Sequence, residues 1–179
     1  MYGIDYGTSN TVVTSDQSGE VELLQLGSNG AVVPSLLYVD VDGRYSIGDT
    51  AIAEYGSALE RWKDEPVIYD KFRFFQALKF ALKDVSFEET LIFGERWSLE
   101  RLVGEFLRQI KAKADSKSRE KCSVAIIGRP VQLSEKKWQD VQLQERFRDA
   151  CKIAGFTDVH FGLIAFFWWL FCIKKQMKY

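Results

Sequence analysis

Asp5, Gly7, Thr8 and Ser9 stand close together in Gly3-Ile4-Asp5-Tyr6-Gly7-Thr8-Ser9-Asn10-Thr11, between two short β-type runs. A carboxylate ends the first run. Gly7 lets the chain turn sharply and bring its backbone near a ligand. Two hydroxyl residues follow, with free N–H groups, and successive backbone donors of this kind can cradle phosphoryl oxygens. A carboxylate beside such an anion makes sense only with a cation between them. Mg²⁺ suits, because it keeps several waters and is usually held by one or two carboxylates plus phosphates. The same residues would also serve a plain hairpin in which Asp5 and Thr8 do turn chemistry alone. Neither the G-x-x-x-x-G-K-[ST] loop nor the G-x-G-x-x-G fingerprint occurs.

Other reactive side chains are sparse. His160 is the only histidine and has no adjacent nucleophile, so a structural role is expected. Cys122, Cys151 and Cys172 are odd in number, far apart and without C-x-x-C spacing, which argues against a disulfide framework and a zinc site. They read as small buried apolar groups in a reducing compartment. Phe72, Phe74 and Phe75 read as packing rather than as a recognition platform.

The elements that must carry these residues follow from punctuation and periodicity. Tyr2–Tyr6 reads as a buried strand, Thr11–Ser15 as a second and Val21–Leu26 as a third, with turns between them; Leu36–Val39 and Tyr45–Ile47 read as further strands around the Asp42-Gly43 turn. From Gly48 the pattern becomes helical, over Asp49–Leu59 and over the aromatic, basic stretch Lys71–Lys83, before a strand or loop with Ile92 and Phe93. The clearest helix has Ser98 as N-cap and Leu99, Leu102, Val103, Phe106, Leu107 and Ile110 on one face, with Asp115–Lys121 as a solvated loop after it. Val124–Ile127 has the continuous apolarity of a central strand. Ser134 could cap a helix whose apolar side includes Trp138, Val141, Phe147, Ala150, Cys151 and Ala154, ending at Gly155. Asp158–Phe161 begins another strand, and strand–helix–strand in that order implies a parallel pair. The fold class is α/β with an antiparallel N-terminal meander feeding a mixed sheet.

Composition sets outer limits. The 179 residues suffice for one domain or one large lobe, with 46% hydrophobic and 27% charged residues, as in ordinary globular chains. A net charge of -1 offers no basic field for nucleic acid. The N-terminus lacks a signal-peptide pattern, and the 11-residue apolar run Leu163–Ile173 is too short to span a bilayer; no membrane partner is expected and a cytoplasmic location is the default.

Four matches in order, the last of them in two parts, resemble the DnaK-type heat shock protein 70 family of the actin-like ATPase superfamily. Gly3–Thr11 resembles its first phosphate motif, G-I-D-x-G-T-[ST]-x-[ST]. Val33-Pro34-Ser35-Leu36-Leu37-Tyr38 resembles its P-S-x-[VL]-x-[FY] segment, and Ile47-Gly48-Asp49-Thr50-Ala51 its [VI]-G-x-x-A segment. Val124–Pro130 and then Arg148–Phe156 resemble its V-x-x-x-P strand and x-D-A-x-x-x-A-G-[FL] helix, and Gly128-Arg129-Pro130 suggests a divergent bacterial branch.

The resemblance implies a ribonuclease H-like lobe with a mixed five-stranded sheet and flanking helices over residues 1–161, with an inserted subdomain over roughly residues 35–97. It implies ATP and Mg²⁺ as cofactors: Asp5 ordering the hydrated metal, Thr8 and Ser9 contacting phosphates or ions, and Gly7 as the backbone requirement. It also implies a lysine that positions the attacking water. Lys79, in Phe75-Gln76-Ala77-Leu78-Lys79-Phe80, is the nearest match and Lys71 the competitor; either could instead be a solvated lysine on an amphipathic helix. Pro130 matches a proline of the interdomain switch, or simply ends a strand. Polypeptide clients and co-chaperones would be partners of a full-length relative.

After Phe161 the pattern lapses. The family's E-P-x-A-A segment and its second phosphate motif, D-x-G-G-G-T-x-D, are absent, and residues 162–179 form an apolar and basic tail with no acid after Asp158. A truncated or frame-shifted product of a longer gene is therefore expected, binding nucleotide weakly and turning it over negligibly by itself. A bacterial actin-like filament protein, a sugar kinase and a non-enzymatic module on the same fold are the competing readings.

Overall fold

The computed structural model describes residues 1–17, 19–82, 84, 86–118, 120–129 and 137–163. Lys83, Pro130, Ser134, Cys172 and the apolar run after Leu163 lie outside them, as does the Trp138 side chain.

The central sheet grows from a meander. Strand β1 (Tyr2–Tyr6) pairs antiparallel with β2 (Asn10–Gln17), and β2 with β3 (Glu20–Leu23) and the short β4 (Val33–Pro34). On its other side β1 runs parallel to β10 (Val124–Arg129), which runs parallel to the edge strand β11 (Asp158–Leu163). The order is β11-β10-β1-β2-β3 with β4 also on β2, a mixed six-stranded sheet with two parallel pairings, where the resemblance implies five strands. Alternation along β1 fixes its two faces: Tyr2, Ile4 and Tyr6 are buried, while Gly3 and Asp5 point the other way.

Three strands make a second sheet, in the order β6 (Tyr45–Ile47), β5 (Leu37–Asp40), β7 (Phe72–Phe75). Leu37, Val39 and Ile47 join the main core, whereas Tyr38 and Phe72 pack with Ala51 and Ala58 of helix α1 (Gly48–Arg61). The one-turn helix α2 (Leu78–Ala81) follows, and then the hairpin β8 (Glu89–Ile92)–β9 (Glu95–Ser98). The expected helix over Lys71–Lys83 is thus corrected to a strand and a single turn. Phe72, Phe74 and Phe75 alternate between two hydrophobic clusters, which suits a strand between two layers better than a helix with one apolar stripe. Phe74 stacks on Tyr55 with centroids 4.5 Å apart.

Helices α3 (Leu99–Lys117) and α4 (Lys137–Ile153) cover the Tyr2/Ile4/Tyr6 face. The Tyr6 ring lies 5.4 Å from both Phe106 of α3 and Phe147 of α4. The Ser98 side chain accepts the Arg101 N–H at 3.1 Å, so the cap lies where the sequence places it. Helix α3 runs further than its sequence suggests. Ala114 is buried, and Asp115 is held by Tyr2 Oη at 2.8 Å and Lys111 Nζ at 2.7 Å, so the last turn stays helical instead of loosening into a loop. Helix α4 ends at Gly155 (φ +90°), with the Phe156 N–H returning to the Cys151 carbonyl at 3.0 Å. Val141, expected on its apolar side, is 55% exposed. Cys151 is buried as expected, and Cys122 is half-buried. Among the described residues, no helix is long and apolar enough to cross a membrane.

Candidate functional site

The turn between β1 and β2 is a tight one. The Gly7 N–H donates to the Asn10 carbonyl at 2.9 Å, and a Cβ added at Gly7 would lie 2.4 Å from that oxygen. Only glycine fits such an approach. Thr8 and Ser9 sit at the tip, exposed; among the described residues neither their N–H groups nor their hydroxyls make a hydrogen bond. The turn therefore presents two adjacent backbone donors and two hydroxyls outward.

Its carbonyls face the other way because of a third segment. Ser35, just after β4, is buried; its N–H donates to the Ser9 carbonyl at 2.8 Å and its hydroxyl to the Gly7 carbonyl at 2.9 Å. Buried Thr11 lies 2.9 Å from that same hydroxyl. A hydroxyl has one proton, and Ser35 places its own on Gly7, so Thr11 is the donor in the second bond. The relay runs from Thr11 through Ser35 to Gly7. Neither residue is given a role by the sequence, although Thr11 closes the segment that resembles the phosphate motif and Ser35 follows the proline of the next.

Asp5 reaches the turn region from the face of the sheet turned away from α3 and α4. It is half-buried, and its carboxylate forms no hydrogen bond or ion pair among the described residues. Lys79 arrives from the side of Tyr6. Its ammonium donates to the Tyr6 carbonyl, 73 residues away in sequence and immediately before Gly7, and lies 5.9 Å from the Tyr6 ring centroid. Burial explains this placement: Leu78 and Leu82 are core residues that seat the one-turn helix against α3. Arg146 of α4 then ties down the chain beyond it. Its guanidinium pairs with Glu100 and donates to the carbonyls of Asp84 at 3.0 Å and Phe87 at 2.9 Å. Lys71, by contrast, lies over the Trp62 ring, 4.7 Å from its centroid, beside the second sheet. The structure thus brings Lys79 to the turn and not Lys71, and no described contact joins Lys79 to Asp5. His160 is exposed, with Nε2 3.2 Å from Asp158 Oδ2, on the edge strand away from the turn.

The donor set fits a polyphosphate with a hydrated divalent cation. Outward N–H groups and hydroxyls at Thr8 and Ser9 suit phosphoryl oxygens, the Lys79 ammonium adds positive charge at the root of the turn, and Asp5 offers one uncommitted carboxylate. Among the described residues no group of three or more His, Cys, Asp or Glu could by itself enclose a metal. A cation here would be held through its waters and the ligand, as Mg²⁺ commonly is. No protein-family model matches the chain, and no curated protein matches it.

Proposed function

We propose that the chain is a nucleotide-binding lobe of the actin-like ATPase type, nearest in character to DnaK-type chaperones, working in a reducing, cytoplasmic setting. The observation that carries this reading is the convergence at one turn. Outward donors at Thr8 and Ser9, inward-held carbonyls, and the ammonium of Lys79 meet at the end of β1, although Lys79 is 73 residues from Tyr6. A plain hairpin requires none of these arrangements. A mixed sheet covered by two helices is compatible with the lobe the resemblance implies, although the sheet has six strands rather than five.

In this reading Thr8 and Ser9 would bind phosphoryl oxygens, Gly7 permits the turn, Asp5 would accept hydrogen bonds from waters of Mg²⁺, and Lys79 would offer its ammonium to the phosphate chain and the attacking water. ATP supplies the phosphoanhydride bond and Mg²⁺ the charge that offsets its oxygens. The donors described come from one side of the ligand, so binding is expected at millimolar nucleotide with negligible turnover.

The test is a titration of the ¹⁵N-labelled chain with ATP, with and without Mg²⁺. Amide shifts should concentrate on residues 7–10 and require Mg²⁺. Asp5→Asn should remove the Mg²⁺ dependence with the urea midpoint unchanged, because no described bond of that carboxylate is lost. Thr8→Ala should weaken binding. A turn indifferent to Mg-ATP, or an Asp5→Asn chain that responds as the wild type does, would sink the reading.

A further inference from the structure

We infer that Ser35 is the positioning residue of this turn, the group that makes it a phosphate site rather than a self-satisfied hairpin; the inference rests on the nucleotide reading above. Across a trans peptide bond the C=O and the following N–H point in opposite directions. Fixing one therefore aims the other. Ser35 does this twice from one buried position. Its hydroxyl holds the Gly7 carbonyl at 2.9 Å, which turns the Thr8 N–H outward. Its N–H holds the Ser9 carbonyl at 2.8 Å, which turns the Asn10 N–H away from β4. A simple two-residue hairpin would let the Gly7 carbonyl accept from Asn10, closing the turn on itself. Here that carbonyl accepts from Ser35 instead.

Thr11 completes the device. Because it must donate to Ser35 Oγ, it orients the serine hydroxyl toward Gly7, and the two bonds in series strengthen one another in a buried setting. The ligand class that fits is a chain of phosphates with oxygens spaced to meet successive amides, so inorganic triphosphate should bind as well as the nucleotide does at this turn. Ser35 touches no ligand. It acts through the peptide planes.

The experiment compares wild type, Ser35→Ala, Ser35→Thr and Thr11→Val as full 179-residue chains, following the Thr8, Ser9 and Asn10 amides on titration with Mg-ATP and with magnesium triphosphate, the Thr8 and Asn10 amides being the ones Ser35 aims. Ser35→Ala should weaken both ligands about tenfold, the ratio that one hydrogen bond of ordinary strength carries. Ser35→Thr keeps the hydroxyl and should restore affinity to within about threefold, and Thr11→Val should give an intermediate loss. Asp115→Asn, at the opposite end of β1, is the control: it should lower the urea midpoint without changing either affinity. That separates aiming of the amides from general destabilisation. A wild type whose turn ignores both ligands overturns the nucleotide reading and this inference together. A wild type that binds while Ser35→Ala binds equally well overturns this inference alone. If Ser35→Ala does not fold, unchanged affinity in Thr11→Val overturns it.

Discussion

Asp115 shows how much one side chain can do at the end of the sheet remote from the turn. Burial acts to raise its pKa, but hydrogen bonds from Lys111 and Tyr2, the Lys111 charge and the Cys122 N–H outweigh that effect, and the carboxyl is held below its ordinary range. The Tyr2 hydroxyl, desolvated and facing this carboxylate, is pushed up to about 12. A depressed carboxyl pKa contributes stability that is fully present above the unfolded-state value and is lost as pH falls through the folded value. Asp115→Asn should therefore cost about 1–2 kcal/mol at neutral pH, with the urea midpoints of the two chains converging as the pH falls below the ordinary carboxylate range. A gap that stays constant with pH would show that the charge on Asp115 is not what matters. At the candidate site the sequence disclosed Asp5, Gly7, Thr8 and Ser9 because they are neighbours in the chain. Ser35 and Thr11 were not legible as functional. Ser35 acts on two backbone carbonyls and Thr11 on the Ser35 hydroxyl 24 residues away, partners that no residue type announces.

Among the elements, α3 was the most legible. Its apolar positions repeat at helical spacing over three turns and all of them are buried, so local periodicity and tertiary burial specify the same object. Ser98 satisfies one otherwise unpartnered N–H at its start. Ser98→Ala should lower stability by about 1 kcal/mol, measured as a shift in urea midpoint with unchanged slope. The β7–α2 stretch was less legible for a physical reason. Phe72, Phe74 and Phe75, with Arg73 among them, show no clear period, because hydrophobic clusters lie on both sides of this strand and apolar residues on both faces leave no alternation to read. The one-turn α2 is too short to be stable from its own residues; Leu78 and Leu82 seat it from the core. Exposed Val141 marks the opposite error, an apolar residue counted into a helical face that the helix turns to solvent.

For the molecule as a whole, the two covering helices approach closely at Gly104. A Cβ there would lie 2.7 Å from Ile153 Cβ and 2.9 Å from the Ala150 carbonyl. Two effects oppose each other in Gly104→Ala. Helix propensity favours alanine by about 0.8–1.0 kcal/mol. The clash involves backbone and a branched Cβ rather than a flexible tip, so relieving it means moving α4 away from the sheet, at a cost of about 1–3 kcal/mol. The clash should win, giving net destabilisation by calorimetry together with chemical-shift changes at Phe147 and Tyr6, which lie under the same helix pair. An unchanged or raised melting temperature would show that α4 is free to shift without loss.

The sequence by itself determined the strands of the meander, the parallel pairing of β10 with β11, the start of α3, the end of α4, and the glycine-hydroxyl turn. Each of these is written in residues within a few positions of one another: alternation, caps, breakers and helical spacing. Only the tertiary structure decided which lysine reaches the turn, which hydroxyl holds its carbonyls, and that the Lys71–Lys83 stretch is split into a strand and one helical turn. These depend on contacts between segments tens of residues apart. Such contacts form because burying Leu78, Leu82 and the aromatic rows of both sheets is favourable wherever those residues fall in the chain, and proximity in sequence carries no record of where that burial will bring them.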